Sequence, residues 1–258
     1  MGEVPAPGTF GPYPGSGVML GRLMAYRGLD AEALARAAEV DAGALRAVLD
    51  GGEPDPETVG RLAPVLGLHT VDLHVVMWTA VPHRLAPLDP EAAVAVRQML
   101  GDLVRLSAGR VTEVLMLVRS LPQEPRTVPY AEHPTLESGF RPTLGGVLVR
   151  MLLNRNLRLP AIAEAMGRWT PTYLSIATYP AIGSGRSELT PGRVADFAAL
   201  LGLPAGLLAA LTGIEPTERG SRHHPTVDLV AQLVWEMRRL TADQSEQVRA
   251  SVRSHAGR

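Results

Sequence analysis

Residues 168–179, with the sequence RWTPTYLSIATY, concentrate hydrogen-bonding side chains in one short stretch. A guanidinium donates several hydrogen bonds and attracts anions, and a hydroxyl both donates and accepts. The donors are Arg168, Thr170, Thr172, Tyr173, Ser175 and Thr178, with Arg158 before them and Arg186 after them. Surface Arg and Thr are in most proteins simply hydrated, so this stretch needs a structural context before a role is assigned.

No catalytic constellation accompanies these donors. We find no Ser/His/Asp arrangement, no paired-carboxylate signature and no Gly-rich nucleotide motif, since the GSGRS sequence at residues 183–187 lacks the Walker spacing. The chain has no cysteine, which excludes disulfides and thiol catalysis. His223 and His224 have no acidic residue at ligand spacing in the sequence. We therefore expect no enzyme, no cofactor and no metal site.

The composition favours helices. Of the 258 residues 46% are hydrophobic but only 4% are aromatic, so the core must consist of Ala, Leu, Val and Met. We expect an all-α protein of two compact units. The first residues lack the features of a secretory signal, and no apolar run is long enough to span a bilayer. These observations predict a soluble, cytoplasmic protein that does not contact a membrane.

A repeat links the two halves of the chain. Residues 59–68 read VGRLAPVLGL and residues 194–203 read VADFAALLGL, which share the pattern V-x-x-[LF]-A-x-x-L-G-L. Further matches keep an offset of 128 to 135 residues, among them RLSA at residues 105–108 with RLTA at residues 239–242. An internal duplication explains such an ordered set. We interpret the chain as two homologous units.

Turn and cap residues divide the first unit into five short helices. Asp30, Asp41 and Asp55 are good N-caps, and Pro56 suits the first position of a helix. Gly28 and Gly67 mark helix ends. Residues 90–121 and 225–255 carry apolar stripes typical of one long helix or a helical hairpin that forms core or an oligomer interface.

Residues 28–73, together with residues 156–180 and 194–208, resemble the XRE or lambda-repressor-like helix-turn-helix family. The resemblance implies an all-α fold of two five-helix units in which the third helix of a unit enters the major groove of DNA. It places Thr170, Thr172, Tyr173 and Ser175 on or beside contact positions. Both units depart from the family where a Gln opens the second helix, because Ala31 and Leu159 stand there.

The resulting domain plan has six parts. We expect a disordered leader rich in Pro and Gly over residues 1–16, a helix-turn-helix domain over 17–80 and a helical extension over 81–121. A linker over 122–144 leads to a second helix-turn-helix domain over 145–214 and a second extension over 215–258.

The two units differ in charge. Residues 17–121 have 10 Arg and 13 acidic residues, a balance of −3, whereas residues 145–258 have 13 Arg and 9 acidic residues, a balance of +4. In the first unit only Arg46 on the third helix is a candidate donor to DNA. The second unit is therefore the expected reader of double-stranded DNA.

These observations predict a DNA-binding transcriptional regulator whose duplicated units act as a pseudo-dimer. A homodimer through the extensions, and a protein partner for the acidic first unit, are further partners compatible with the sequence. The alternative is a helix-turn-helix-derived scaffold for protein interactions that does not bind DNA, since a fold does not fix a function.

Overall fold

The computed structural model describes residues 13–126, 142–218 and 222–256, and this part of the chain is helical without a β-strand. The first unit comprises α1 (Ser16–Arg27), α2 (Ala31–Ala38), α3 (Ala42–Leu49), α4 (Pro56–Leu66) and α5 (Thr70–Val76). The all-α prediction is confirmed for the described residues.

The predicted caps start three of these helices. The side chain of Asp30 accepts from the Ala33 N–H at 2.7 Å, and that of Asp41 accepts from the Ala44 N–H at 2.8 Å. Asp55 caps α4, with Pro56 at its first position. Each side chain satisfies a backbone donor that has no partner within its helix, which fixes where the helix begins.

The second unit comprises α8 (Leu144–Leu153), α9 (Leu159–Trp169), α10 (Thr178–Gly183), α11 (Pro191–Leu201) and α12 (Ala205–Thr212). Its third helix differs from the sequence prediction, because residues 170–177 are not α-helical and α10 has only 6 residues. Two prolines explain the difference. Pro171 favours the extended backbone of Thr170. Pro180 is tolerated in the first turn of α10, but its ring would clash with the carbonyl of Ile176 if the helix began further upstream.

Each unit is followed by a helical hairpin. The first contains α6 (Ala92–Leu103) and α7 (Ala108–Ser120), and the second contains α13 (Val227–Met237) and α14 (Ala242–Ala256). The hairpins pack on each other, α6 on α14 and α7 on α13. Their apolar stripes, including Val114, Val118, Leu233 and Met237, are thereby buried within one chain and form core.

The two units pack on each other through reciprocal helix contacts. The first helix of each unit packs on the fifth helix of the other, α1 on α12 and α8 on α5. Within each unit the first helix also approaches the third at a glycine. A Cβ would overlap the Leu49 carbonyl oxygen at Gly17 and the Ile182 carbonyl oxygen at Gly145. These glycines are 128 residues apart, as the repeat requires.

The hairpins break this symmetry. Helix α6 packs on α9 and helix α13 packs on α11, so both hairpins lie against the second unit. The corresponding contacts with α2 and α4 are not among the main helix contacts of the described chain. Among the helices that the structure describes, those of the hairpins are not main neighbours of α2 or α3.

Segments outside the helices are also fixed. The Tyr13 hydroxyl donates to the Val76 carbonyl at 2.8 Å, so the end of the predicted disordered leader is anchored. In the linker, Arg126 donates to the carbonyls of Ala86, Pro87 and Leu88. The remainder of both segments, residues 1–12 and 127–141, lies outside the described residues.

A fully buried ion pair joins the two units. Arg155, just after α8, donates from both terminal nitrogens to the two carboxylate oxygens of Asp72 on α5, each at 2.9 Å. Neither side chain has exposed area. The same guanidinium donates to the carbonyls of Met151 and Leu201. These hydrogen bonds compensate charges that burial would otherwise make very unfavourable.

Replacing Asp72 with Asn should destabilise the protein by about 3 to 5 kcal/mol, because it leaves the buried Arg155 cation without a counter-charge. Urea unfolding measures this loss of free energy. The control is Glu57→Gln, which removes the exposed pair of Glu57 with Arg61 and should cost less than about 1 kcal/mol. Similar small losses in both variants would contradict a structural role for the buried pair.

Stability should also fall on acidification. Burial lowers the pKa of His69, whose ring stacks on Trp235 with centroids 3.5 Å apart, and burial likewise lowers the pKa of His74. A histidine whose pKa is lowered in the folded state is protonated first in the unfolded chain. Its contribution is therefore complete above 6.5, the ordinary pKa of a histidine, and is lost as the pH falls below that value.

Thermal unfolding between pH 8 and pH 5 measures this loss. His69→Phe keeps the ring stacking and removes the titration, so its stability should depend less on pH than that of the native chain. An unchanged pH profile in this variant would refute the assignment to His69.

Candidate binding groove

A groove runs between α6 of the first hairpin and α9 of the second unit, and we call it the α6–α9 groove. It consists of two adjoining cavities of about 480 Å³ and about 500 Å³. Both cavities are lined by Arg97, Pro160 and Glu164. Arg158 lies in the first cavity, and Arg168 and Tyr173 lie in the second. The groove forms only because α6 packs on the other unit.

Three partly exposed guanidiniums follow the groove. Arg168 Nη2 lies 3.1 Å from Glu164 Oε1, and Arg97 Nε lies 3.5 Å from Glu164 Oε2. Arg158 Nη2 lies 3.3 Å from Glu91 Oε1 at the start of α6. Exposed ion pairs of this kind are weak, because water and salt screen them. A ligand carboxylate or phosphate can therefore compete for these cations.

Apolar side chains stand beside the cations. Val94 is 49% exposed, Ile176 is 47% exposed and Tyr173 is 88% exposed. Large apolar side chains with this much exposure, grouped along one cleft, indicate an interaction surface. Tyr and Arg are also the residues that carry much of the binding energy at protein interfaces.

The predicted DNA-contact residues of the second unit have different environments. Thr170 is only 6% exposed, and its hydroxyl donates to the Met166 carbonyl at 2.8 Å. Its oxygen also accepts from the Thr172 N–H, so this side chain is used within the protein. Arg158, Arg168, Tyr173 and Ser175 are brought together along the α6–α9 groove.

The other predicted donors, Thr172, Thr178 and Arg186, are not among the residues that line the groove. The hydroxyls of Ser175 and Thr178 are 3.0 Å apart and bond to each other at the start of α10. Arg186 is exposed in the loop after α10 and donates to the Ser184 hydroxyl. Helix α10 itself buries Tyr179 and Ile182. The donors therefore occupy a loop and the ends of helices rather than one exposed helix face.

The third helix of the first unit, α3, is partly exposed, and acidic residues surround it. Between residues 30 and 61 there are eight acidic residues and three Arg, and all of them are exposed. Arg46 projects from α3 and pairs with Glu32 at 3.5 Å. Asp41 and Asp50 lie at the two ends of α3. We call this surface of residues 30–61 the acidic face.

Sequence reasoning misses the contribution of α6 to the groove. It places Val94 in an apolar stripe and does not single out Arg97 or Gln98. A signal is present, because these three residues follow the i, i+3, i+4 spacing of one helix face, whereas α6 buries Ala93, Val96 and Met99 on another. Their proximity to α9 depends on the packing of the two units, which the local pattern does not contain.

The structure also shows a pair that the sequence did not reveal, and neither of its residues lines the groove. His223 Nε2 lies 2.8 Å from Asp196 Oδ1, and both side chains are almost buried. Nevertheless, no group of three potential metal-ligating side chains occurs within the described ranges. None of the helices in those ranges is both long and apolar enough to cross a membrane.

Comparison of the chain with protein-family models, curated proteins and solved structures found no match. The geometry of the chain itself therefore carries the functional argument.

Proposed function

We propose that this protein is a helix-turn-helix-derived interaction scaffold whose α6–α9 groove binds an acidic, partly apolar segment of a partner protein. The observation that carries the proposal is that neither third helix presents a surface suited to the major groove of DNA. Helix α3 is surrounded by exposed carboxylates, and α10 is a 6-residue helix that packs Tyr179 and Ile182 inward.

Duplex DNA is a poor ligand for such a pair of units. Binding to DNA depends on cations that neutralise phosphates, and the balance of −5 over residues 30–61 has the opposite effect. A pseudo-dimer that presents both third helices to one duplex would bring this acidic face close to the phosphates. Base readout also requires donors on an element that fits the major groove, and α10 exposes few.

The α6–α9 groove suits a protein segment better. Its walls combine Val94, Tyr173 and Ile176 with the guanidiniums of Arg97 and Arg168. Protein interfaces are enriched in aromatic residues and Arg at their centres. A groove between two helices also has the shape in which an amphipathic helix binds. Its excess of Arg over Glu selects a segment that carries carboxylates.

An acidic helical peptide should bind the full chain, and its basic counterpart should not. The probe is a fluorescent peptide of about 16 residues that contains Ala, Leu and Glu. This is about the length at which an isolated helix becomes stable in water. The matched control peptide has Lys in place of each Glu. Fluorescence anisotropy should give binding that weakens at least about tenfold for Arg97→Glu, because that substitution reverses the charge at the centre of the groove. Arg110→Glu, on the exposed surface of α7, should leave the affinity unchanged.

Equal affinity for the two peptides, or equal loss in Arg97→Glu and Arg110→Glu, would show that binding does not occur in this groove. Absence of binding to the acidic peptide in low salt would refute the proposal.

DNA binding through the second unit is the second candidate. Tyr173 is 88% exposed, and it lies near Arg168 and Ser175, which offer donors to bases or phosphates. This arrangement is compatible with contact to DNA by the loop of residues 170–177 rather than by a helix.

Retention of genomic DNA fragments at two salt concentrations separates the two candidates. The scaffold proposal predicts that no fragment is selectively retained even in low salt. Selective, salt-sensitive retention that is lost in Arg168→Ala with Thr172→Ala, but kept in Arg46→Ala, would favour the DNA-binding candidate.

A further inference from the structure

We infer that the segment bound in the α6–α9 groove is helix α3 of a second copy of this chain, so that the protein associates head to tail. The inference rests on the proposed function, that the groove binds an acidic protein segment. It adds the identity of the partner. The observation behind it is a complementary order of charges along two helices.

The exposed surface of helix α3 carries small residues, so another helix can lie close to it. Gly43, Ala44 and Ala47 are exposed and small, so a partner can approach the backbone closely. Asp41 caps the start of the helix and Asp50 follows its end, with Arg46 exposed between them. The order of charges along α3 is therefore negative, positive, negative.

Along helix α9, the charges that line the groove have the opposite sign at each step. Arg158 precedes its first residue, Glu164 lies near its middle and Arg168 lies near its end, and all three line the groove. This order is positive, negative, positive. Opposite charges on α3 and α9 face each other when the helices lie side by side in the same direction, and Arg46 then shares Glu164 with Arg97 of α6.

The spacings also agree. Asp41, Arg46 and Asp50 are separated by five and four residues, and Arg158, Glu164 and Arg168 by six and four. At about 1.5 Å per residue these sets span about 14 Å and about 15 Å. A parallel arrangement places Asp41 at Arg158, Arg46 at Glu164 and Asp50 at Arg168. The exposed pairs of Arg46 with Glu32 and of Arg168 with Glu164 would exchange partners.

The contact is heterologous, because the groove and α3 are different surfaces. Each copy offers one groove and one α3, so every copy can bind two others, and the association continues as an open chain unless its rotation closes a ring. Within the described ranges, the helices of the hairpins lie against the second unit and leave α3 exposed for this role.

Sedimentation velocity of the full chain tests the inference. At low ionic strength the weight-average mass should rise above the 27.5 kDa of one chain as the protein concentration increases. High salt should return it to one chain, because the paired charges are near the surface and are screened. A mass that stays at one chain at every concentration in low salt overturns the inference.

Charge swaps identify the surfaces. The groove swap is Glu164→Arg with Arg168→Glu, and the α3 swap is Arg46→Glu with Asp50→Arg, so each keeps the net charge. Either swap alone should raise the concentration needed for association at least about tenfold, because like charges then face each other. Both swaps in one chain should restore association.

Arg110→Glu with Glu113→Arg, an exposed pair on α7, is the matched control and should associate like the native chain. Circular dichroism verifies the fold of each variant. If a swap prevents folding, Arg168→Gln and Asp50→Asn replace it, and each should weaken association. Failure of the double swap to restore association, or no effect of either single swap, also overturns the inference.

The acidic peptide separates this result from the proposed function. A chain that stays monomeric but binds the peptide in its groove overturns self-association and leaves a different protein as the partner. A chain that neither associates nor binds the peptide overturns both.

Discussion

The buried pair of Asp72 and Arg155 is the constraint on which the arrangement of the two units depends. One guanidinium bonds to a carboxylate of α5 and to carbonyls at the ends of α8 and α11. The guanidinium carbon, Cζ of Arg155, also lies 5.3 Å from the ring centre of Trp235 on α13. Four helices from both units and a hairpin therefore meet at one charge. Because a buried cation requires its counter-charge, the units cannot slide past each other without a large loss of stability. The α6–α9 groove exists only while this relation is kept.

The sequence repeat shows that this pair has no full counterpart in the first unit. Arg27 stands 128 residues before Arg155, and its Nε donates to the Leu66 carbonyl as Arg155 donates to the Leu201 carbonyl. The position equivalent to Asp72 is Leu207, however, so Arg27 has no equivalent carboxylate and remains exposed. Of these two corresponding positions, one therefore carries a buried carboxylate and the other a buried leucine. The two halves repeat the order of their helices, with different chemistry at corresponding places.

The sequence predicts the roles that depend on nearby residues, but it does not predict the contacts between the two units. Asp30, Asp41 and Asp55 act on backbone donors two or three residues away, so their roles follow from local sequence. Arg155 resembles any other Arg in the sequence, because its partner on α5 is 83 residues away. Residues 170–177 are a different case. Pro171 and Pro180 argue locally against a long third helix, but the resemblance to the helix-turn-helix family outweighs them in the sequence interpretation.

The broken symmetry of the hairpins links the groove to the exposure of α3. In a symmetric pair, each hairpin would cover the second helix of the opposite unit. Here α6 covers α9 while α13 packs on α11, so the second unit gains a cationic groove and the first unit keeps its α2–α3 surface open. The eight exposed carboxylates of residues 30–61, on and around that open surface, repel one another, and an approaching cationic surface relieves the repulsion. A single packing asymmetry thus gives one chain two surfaces of opposite charge on different units. Symmetric hairpins would have covered both surfaces or left both open, and neither arrangement would give one chain a groove on one unit and a bare acidic helix on the other.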